Sequence, residues 1–322
     1  VVKRLVGGVG ILLRKAEVQI VQGRGRFVTP NTLEVTTPDG IQRLEAQHIV
    51  VATGSRPVRL PLPGMDLPGV IDSTAALALE DLPERLLIIG GGVIGVEFAD
   101  IFGAFGVQVT IVEMLDRLIP LMDAELSQAL ERVFGRRRVK MHLSSRVTRL
   151  DAMDDGLQAT VATDEGEFAL QTDRVLVAVG RRPNIEDLGL EAAGVRVDKT
   201  GIPVNERMQT NVPGIYAIGD VAGGLQLAHV ASLGGEVAVE NALGHSAALD
   251  PKTVPSAVYT DPEIASVGLT EEQAHQAGHE VQVGRFPLIA NGKALTYGES
   301  NGFVKVISEA RFGEVLGMHI VA

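Results

Sequence analysis

Four short, nearly continuous apolar runs in this chain each end in glycine. They are Ile49–Val50–Val51–Ala52–Thr53–Gly54, Leu86–Leu87–Ile88–Ile89–Gly90, Val175–Leu176–Val177–Ala178–Val179–Gly180 and Ile215–Tyr216–Ala217–Ile218–Gly219. Runs of this kind predict parallel strands covered on both faces. Glycine at the carboxyl end lets the backbone bend sharply, with no Cβ in the way of a ligand. Four such endings in one chain predict two nucleotide-binding sheets. Ahead of them the pattern predicts a short helix and then strands at Val18–Val21, Leu33–Thr36 and Ile41–Leu44. The stretch from Arg56 to Gly69 carries four prolines and reads as an extended surface linker. Strands and helices alternate from Leu86 to Ala178, with short strands between Val147 and Leu170, and a long helix is expected from about Gln226 to Leu243. Beyond Thr253 the pattern predicts Val258–Tyr259, a helix near Glu271–Ala277, and strands at Val281–Phe286, Phe303–Ile307 and Val315–Ile320.

The second run leads into Gly90–Gly91–Gly92–Val93–Ile94–Gly95, a G-x-G-x-x-G pattern between an apolar strand and a helix running from Val93 to Phe105. In that setting Gly90 makes the tight turn, Gly92 admits a pyrophosphate to the helix N-terminus, and Gly95 lets helix and strand pack closely. A second strand, Val107–Val112, ends at Glu113. A carboxylate there accepts hydrogen bonds from both adenosine ribose hydroxyls and repels a 2′-phosphate, which favours NAD over NADP. A Gly-rich packing turn is the alternative. Gly7–Gly8–Val9–Gly10 has no preceding strand and reads as a helix with tolerated glycines.

The 322 residues suffice for about two domains, or three if one is small. Lys and Arg number 29 against 40 Asp and Glu, a net charge of −11, which argues against a phosphate-tracking surface or adsorption to an anionic membrane. With no cysteine in these residues, they hold no disulfide, Cys-ligated zinc or thiol nucleophile. The longest apolar candidate, Leu86–Val107, is interrupted by Glu97 and Asp100 and is too polar for a membrane helix. His275 and His279 read as a surface helix end rather than a zinc pair, and Arg136–Arg137–Arg138 as a solvated turn. Both ends of the sequence read as cut, which leaves targeting signals out of view; for an acidic chain with no export signal the expected compartment is the cytoplasm.

Six segments resemble, in order, the successive signatures of the flavoprotein disulfide reductases. They are Ile49–Ser55, Leu87–Ala99, Val175–Asn184, Gly214–Asp220, Leu227–His229 and Tyr259–Gly268. The run Phe286–Ala294 and the Leu227–His229 segment tilt the resemblance toward the dihydrolipoyl dehydrogenase branch. The fold it implies is α/β: two Rossmann-like domains, for FAD and for NAD(P), plus an α+β dimerisation domain. The FAD-binding part would comprise residues 1–72 and 184–250, the NAD-binding part 73–183, and the dimerisation part 251–322. The implied FAD contacts are Thr53, Gly54 and Ser55 at the crossover, Asp220 on the ribityl chain, and Gln226, Leu227, Ala228 and His229 at a helix N-terminus facing the flavin. For Asp220 a helix-capping role is the alternative, and His229 would contribute its backbone. The coenzyme side would comprise Gly90, Gly91, Gly92, Val93, Ile94, Gly95, Val96, Glu97 and Glu113, with Val147 over the adenine and Gly180 passing near the bound NAD. Glu97 would lie beside the nicotinamide, with an exposed or capping carboxylate as its alternative; core packing alone would explain Val147 and Gly180.

In that family a cysteine pair takes electrons from dihydrolipoamide and passes them through FAD to NAD. The resemblance places that pair upstream of Val1 and the acid–base His with its Glu downstream of Ala322, so no catalytic residue and no metal ligand is assigned here. It also implies a homodimer, and service to a 2-oxoacid dehydrogenase or glycine cleavage complex through a lipoyl domain. Related disulfide or mercuric reductases, a soluble transhydrogenase, and a non-catalytic nucleotide-binding protein are the alternatives.

Overall fold

The four glycine-ended runs pair two and two. In the computed structural model, which describes all residues from Val1 to Ala322, Ile49–Val51 lies parallel to Ile215–Ala217, and Arg85–Ile89 lies parallel to Arg174–Val177. All four terminal glycines have positive φ: 69° at Gly54, 110° at Gly90, 114° at Gly180 and 65° at Gly219. A side chain would strain the backbone there. The two pairs belong to two separate units, Val1–Gly54 with Pro183–Leu249, and Ser55–Arg182 with Asp250–Ala322.

In the first unit an antiparallel meander, Arg24–Thr29, Thr32–Thr37 and Gly40–Glu45, precedes the parallel pair. Phe27, Ile49, Val51, Leu190, Ile202 and Val221 form its core. The N-terminal helix spans Val2–Lys15 and buries none of its residues, and the long helix spans Ala228–Ala242. Val18–Val21, expected as a strand, is not one. Its β-formers have no neighbouring strand to exchange hydrogen bonds with, and propensity without a partner does not make a ladder.

The second unit is built on a five-stranded parallel sheet. Its order is Val70–Asp72, Arg174–Val177, Arg85–Ile89, Gln108–Val112 and Lys140–His142. Successive side chains of a strand face opposite ways, so Leu86 and Ile88 meet the helices Val93–Ala104 and Ala124–Arg136. Leu87 and Ile89 meet an antiparallel sheet formed by Arg146–Met153, Gly156–Thr163 and Gly166–Thr172. The four-proline segment does more than link. Leu60, Leu62, Met65 and Leu67 pack against that second core, and Leu150 donates its N–H to Pro63 O at 3.0 Å. Alternating leucines between the prolines supply the apolar face that a solvated linker would lack.

Residues 256–321 of the same unit form a five-stranded antiparallel sheet in the order Ser256–Val258, Ile264–Gly268, Val315–Val321, Phe303–Glu309 and Val281–Pro287. Val258, Ile264 and Val321 join the core of the parallel sheet's helical face. A short helix at Gly292–Tyr297, capped by Asn291, was not expected from the sequence pattern. No helix in the structure is long and apolar enough to cross a membrane.

Charge also ties the antiparallel sheet of residues 256–321 to the start of the helix Ala124–Arg136. Lys305, 2% exposed, places Nζ 2.9 and 3.0 Å from the Asp123 carboxylate, 2.8 Å from Glu125 and 2.6 Å from Glu271. Arg285 reaches Glu125 at 2.6 Å. Burial pushes the Lys305 ammonium down, but its hydrogen bonds to the three carboxylates outweigh that and raise its pKa. Burial likewise pushes Asp123 up, and the Lys305 hydrogen bond together with the Glu125 and Glu271 amides carries it below the usual range. Removing one partner from such a buried cluster costs about 3–5 kcal/mol, because the remaining charges are left uncompensated.

The Arg285 hydrogen bond, with help from Lys305, holds Glu125 at about 2 instead of 4.5. A depressed carboxyl stabilises the fold above its unfolded pKa and loses that contribution as pH falls through its folded value. Acid unfolding followed by circular dichroism tests this. Glu125→Gln should be less stable than the parent at pH 7, with the difference closing as pH falls from 4.5 toward about 2. A constant gap across that range would contradict the assignment.

Candidate coenzyme and flavin sites

Three close approaches shape the turn from Gly90 to Gly95. A Cβ on Gly95 would stand 2.0 Å from Gly90 O, and one on Gly90 would stand 2.6 Å from Ala178 O. A Cβ on Gly91 would stand 2.6 Å from the Leu118 side chain. Gly92 differs, since nothing lies within 4 Å of its Cβ position. Gly92 is also the N-cap of the helix Val93–Ala104, and no side chain caps that helix. Its first amides therefore have no intrahelical partner and carry the positive end of the helix dipole. Open space before uncapped amides suits a diphosphate.

Glu113 follows the next strand and is 8% exposed. One of its carboxylate oxygens accepts the Gly91 N–H, and the other accepts the Leu115 N–H at 2.8 Å. The residue expected to bind ribose thus also anchors the glycine turn. A carboxylate has about four acceptor positions, so these two bonds leave capacity for sugar hydroxyls. Gly180 ends the neighbouring strand with open space at its Cβ position.

Two other residues assigned to the coenzyme, Val96 and Val147, face the protein. Val96 is 0% exposed and packs in the core of the sheet's helical face. Val147, 8% exposed, packs in the opposite core with Leu87, Val112 and Val161. Glu97 accepts the Tyr259 N–H at 2.8 Å, a contact across 162 residues that no local pattern announces. Val93 and Ile94 form the first turn of the helix.

The residues of the first unit expected at the flavin follow its parallel pair. Thr53 donates its hydroxyl to Asn184 O at 2.7 Å, and the Asn184 side chain returns a bond to Thr53 O at 2.9 Å. Gly54 O accepts the Asn184 N–H at 2.9 Å. Asp220 lies in a 3-10 turn, Gly219–Ala222, directly after the Ile215–Ala217 strand. Gln226 is exposed and precedes Leu227, the N-cap of the long helix; no side chain caps the helix, and Ala228 and His229 are its exposed first residues. A bent strand end, a half-buried carboxylate and an uncapped helix start suit a polyol attached to an electron-accepting ring. In the second unit Ser55 accepts from Arg181 Nε at 2.7 Å.

Comparison with known proteins gives a family. A model described as pyridine nucleotide-disulphide oxidoreductase matches residues 1–235, and one for the dimerisation domain of the same family matches residues 254–322. The chain is 42% identical over 321 residues to a dihydrolipoyl dehydrogenase of Bacillus subtilis, with 100% of this chain and 70% of that protein covered. It is 43% identical over 326 residues to a dihydrolipoyl dehydrogenase of Thermus scotoductus, covering 69% of it. Among solved structures, LpdA of Mycobacterium tuberculosis superposes with a TM-score of 0.90 at 31% identity, covering 98% of this chain and 70% of that one. The HOCl-induced flavoprotein disulfide reductase RclA of Escherichia coli superposes at 0.85 with 32% identity, covering 95% and 69%.

Two glycine variants should separate packing from binding. Gly95→Ala forces a Cβ onto a carbonyl and should lose about 1–3 kcal/mol of stability, read by thermal unfolding. Gly92→Ala, whose Cβ meets open space, should lose much less stability than Gly95→Ala yet weaken NADH binding about tenfold, read by fluorescence titration. Equal effects of the two on stability would contradict the geometry.

Proposed function

The chain belongs to the pyridine nucleotide-disulphide oxidoreductase family, and from that premise we propose that it carries the FAD- and NAD-binding residues of a dihydrolipoyl dehydrogenase. Members of this family use FAD and NAD(H). The observation that carries the reading is the Gly90–Gly95 turn, open only at Gly92 and anchored to Glu113. In this reading the amides of Gly92, Val93, Ile94 and Gly95 receive the coenzyme diphosphate, and Glu113 receives the adenosine ribose. Thr53, Gly54, Asp220 and the start of the helix at Ala228 hold the flavin. When bound, the flavin would relay to NAD, as hydride, the electrons that the family's redox disulfide takes from dihydrolipoamide. The chain's residues bind and orient the cofactors. Glu97 and Gly180 flank the coenzyme, while Val96 and Val147 support it from the core.

The division into FAD-binding, NAD-binding and dimerisation segments is part of the proposal, with residues 55–72 packing on the NAD-binding side. The match of residues 254–322 to a dimerisation domain supports a homodimer, a self-complementary arrangement common for closed assemblies. A 2-oxoacid dehydrogenase or glycine cleavage complex, reached through a lipoyl domain, is the partner in this reading, and the cytoplasm its compartment.

Titration of the full-length protein with NADH and NADPH tests the reading. NADH should bind at least tenfold more tightly, and the opposite preference would overturn it. Glu113→Gln loses a charged acceptor, worth about 1.5–3 kcal/mol. That variant should bind NADH about tenfold more weakly without gaining affinity for NADPH.

A further inference from the structure

Gly91 is held from two sides. Glu113 takes its N–H, and its carbonyl accepts the Ile119 N–H at 2.8 Å. Leu118 closes over it, its Cδ2 lying 2.6 Å from the position of a Gly91 Cβ. Ile119 has φ 42°, a left-handed conformation that a β-branched residue adopts only where its surroundings hold it. It is 1% exposed, and its carbonyl accepts the Met122 N–H at 2.9 Å. The next residue is Asp123, 2% exposed, the N-cap of the helix Ala124–Arg136. Its Oδ1 accepts the Glu125 N–H at 3.0 Å, and its Oδ2 accepts the Glu271 N–H at 3.2 Å. Both oxygens also accept from Lys305, which comes from the antiparallel sheet of residues 256–321.

A continuous set of contacts therefore runs from Lys305 through Asp123 and the Ile119 turn to the Gly91 carbonyl. Buried ion clusters add little net stability compared with apolar packing, whereas breaking one by removing a partner is strongly destabilising. We propose that Lys305 is a positioning residue for the coenzyme. By fixing Asp123 it keeps Ile119 in its strained conformation, and the Ile119 amide then fixes the Gly91 peptide, from which the amides of Gly92–Gly95 continue toward a dinucleotide diphosphate. The inference rests on the reading that this turn binds NAD(H). It assigns to the dimerisation segment a part in coenzyme affinity through bonds within one chain.

The test uses the full-length protein and NADH as the probe. Lys305→Met should raise the NADH Kd, and the KM, about tenfold while kcat stays within twofold. Hydrogen exchange at the Ile119 amide should accelerate. Lys305→Arg, which keeps the charge, should bring the Kd back to within about threefold of the parent. Where Lys305→Met does not fold, Glu271→Gln removes one arm at a partly exposed carboxylate and should raise the Kd about threefold. An unchanged Kd in a folded Lys305→Met, or failing that in Glu271→Gln, overturns the positioning role. A parent protein with no saturable NADH binding overturns the coenzyme reading itself, whatever the variants do.

Discussion

The second unit is organised around the contact between Gly95 and the Gly90 carbonyl. With no side chain between them, the helix at Val93 can start almost on top of the strand that ends at Ile89. A larger residue would push the helix away and take its uncapped amides with it. Close packing here and exposed amides at Gly92 are therefore one geometric fact. The buried strand supplies rigidity, the missing Cβ atoms supply proximity, and the helix dipole supplies the attraction for an anion.

Around that turn the protein uses side chains for two purposes at once. Glu113 ties down the Gly91 amide and also presents acceptor capacity at the strand end. Asp123 caps one helix and accepts the first amide of another. It also neutralises Lys305. Such sharing removes slack, since moving any one group disturbs two or three others. His319 shows the same economy: its ring, opposite Lys305 in register, spans Ser266 Oγ at 2.6 Å and Leu269 O at 3.0 Å. Burial pushes its pKa down.

What the sequence made legible was local. Glycine after an apolar run marks a strand end with positive φ, and all four such positions behave so. The strand, turn, helix and terminal acid from Leu86 to Glu113 could be placed because each signal lies within a few residues of the next. Long-range dependence was hidden. Val18–Val21 has the composition of a strand but no neighbour to pair with. The leucines at 60, 62 and 67 are masked by prolines, yet they fill a core against a sheet about ninety residues further on. Lys305 and Asp123 are 182 residues apart, and nothing in either neighbourhood points to the other. Val96 and Val147, expected at the coenzyme, turn their side chains to the interior. The short helix at Gly292 did carry a readable signal, Asn291 before it and Gly298 after it with φ 76°.

The central claim is that the Gly90–Gly95 turn is the diphosphate cradle. A crystal structure of the full-length protein with NAD bound tests it most directly. The claim predicts phosphate oxygens against the amides of Gly92 and Val93, with the adenosine ribose hydroxyls on Glu113. A coenzyme bound elsewhere, with Gly92 facing empty solvent, would contradict it.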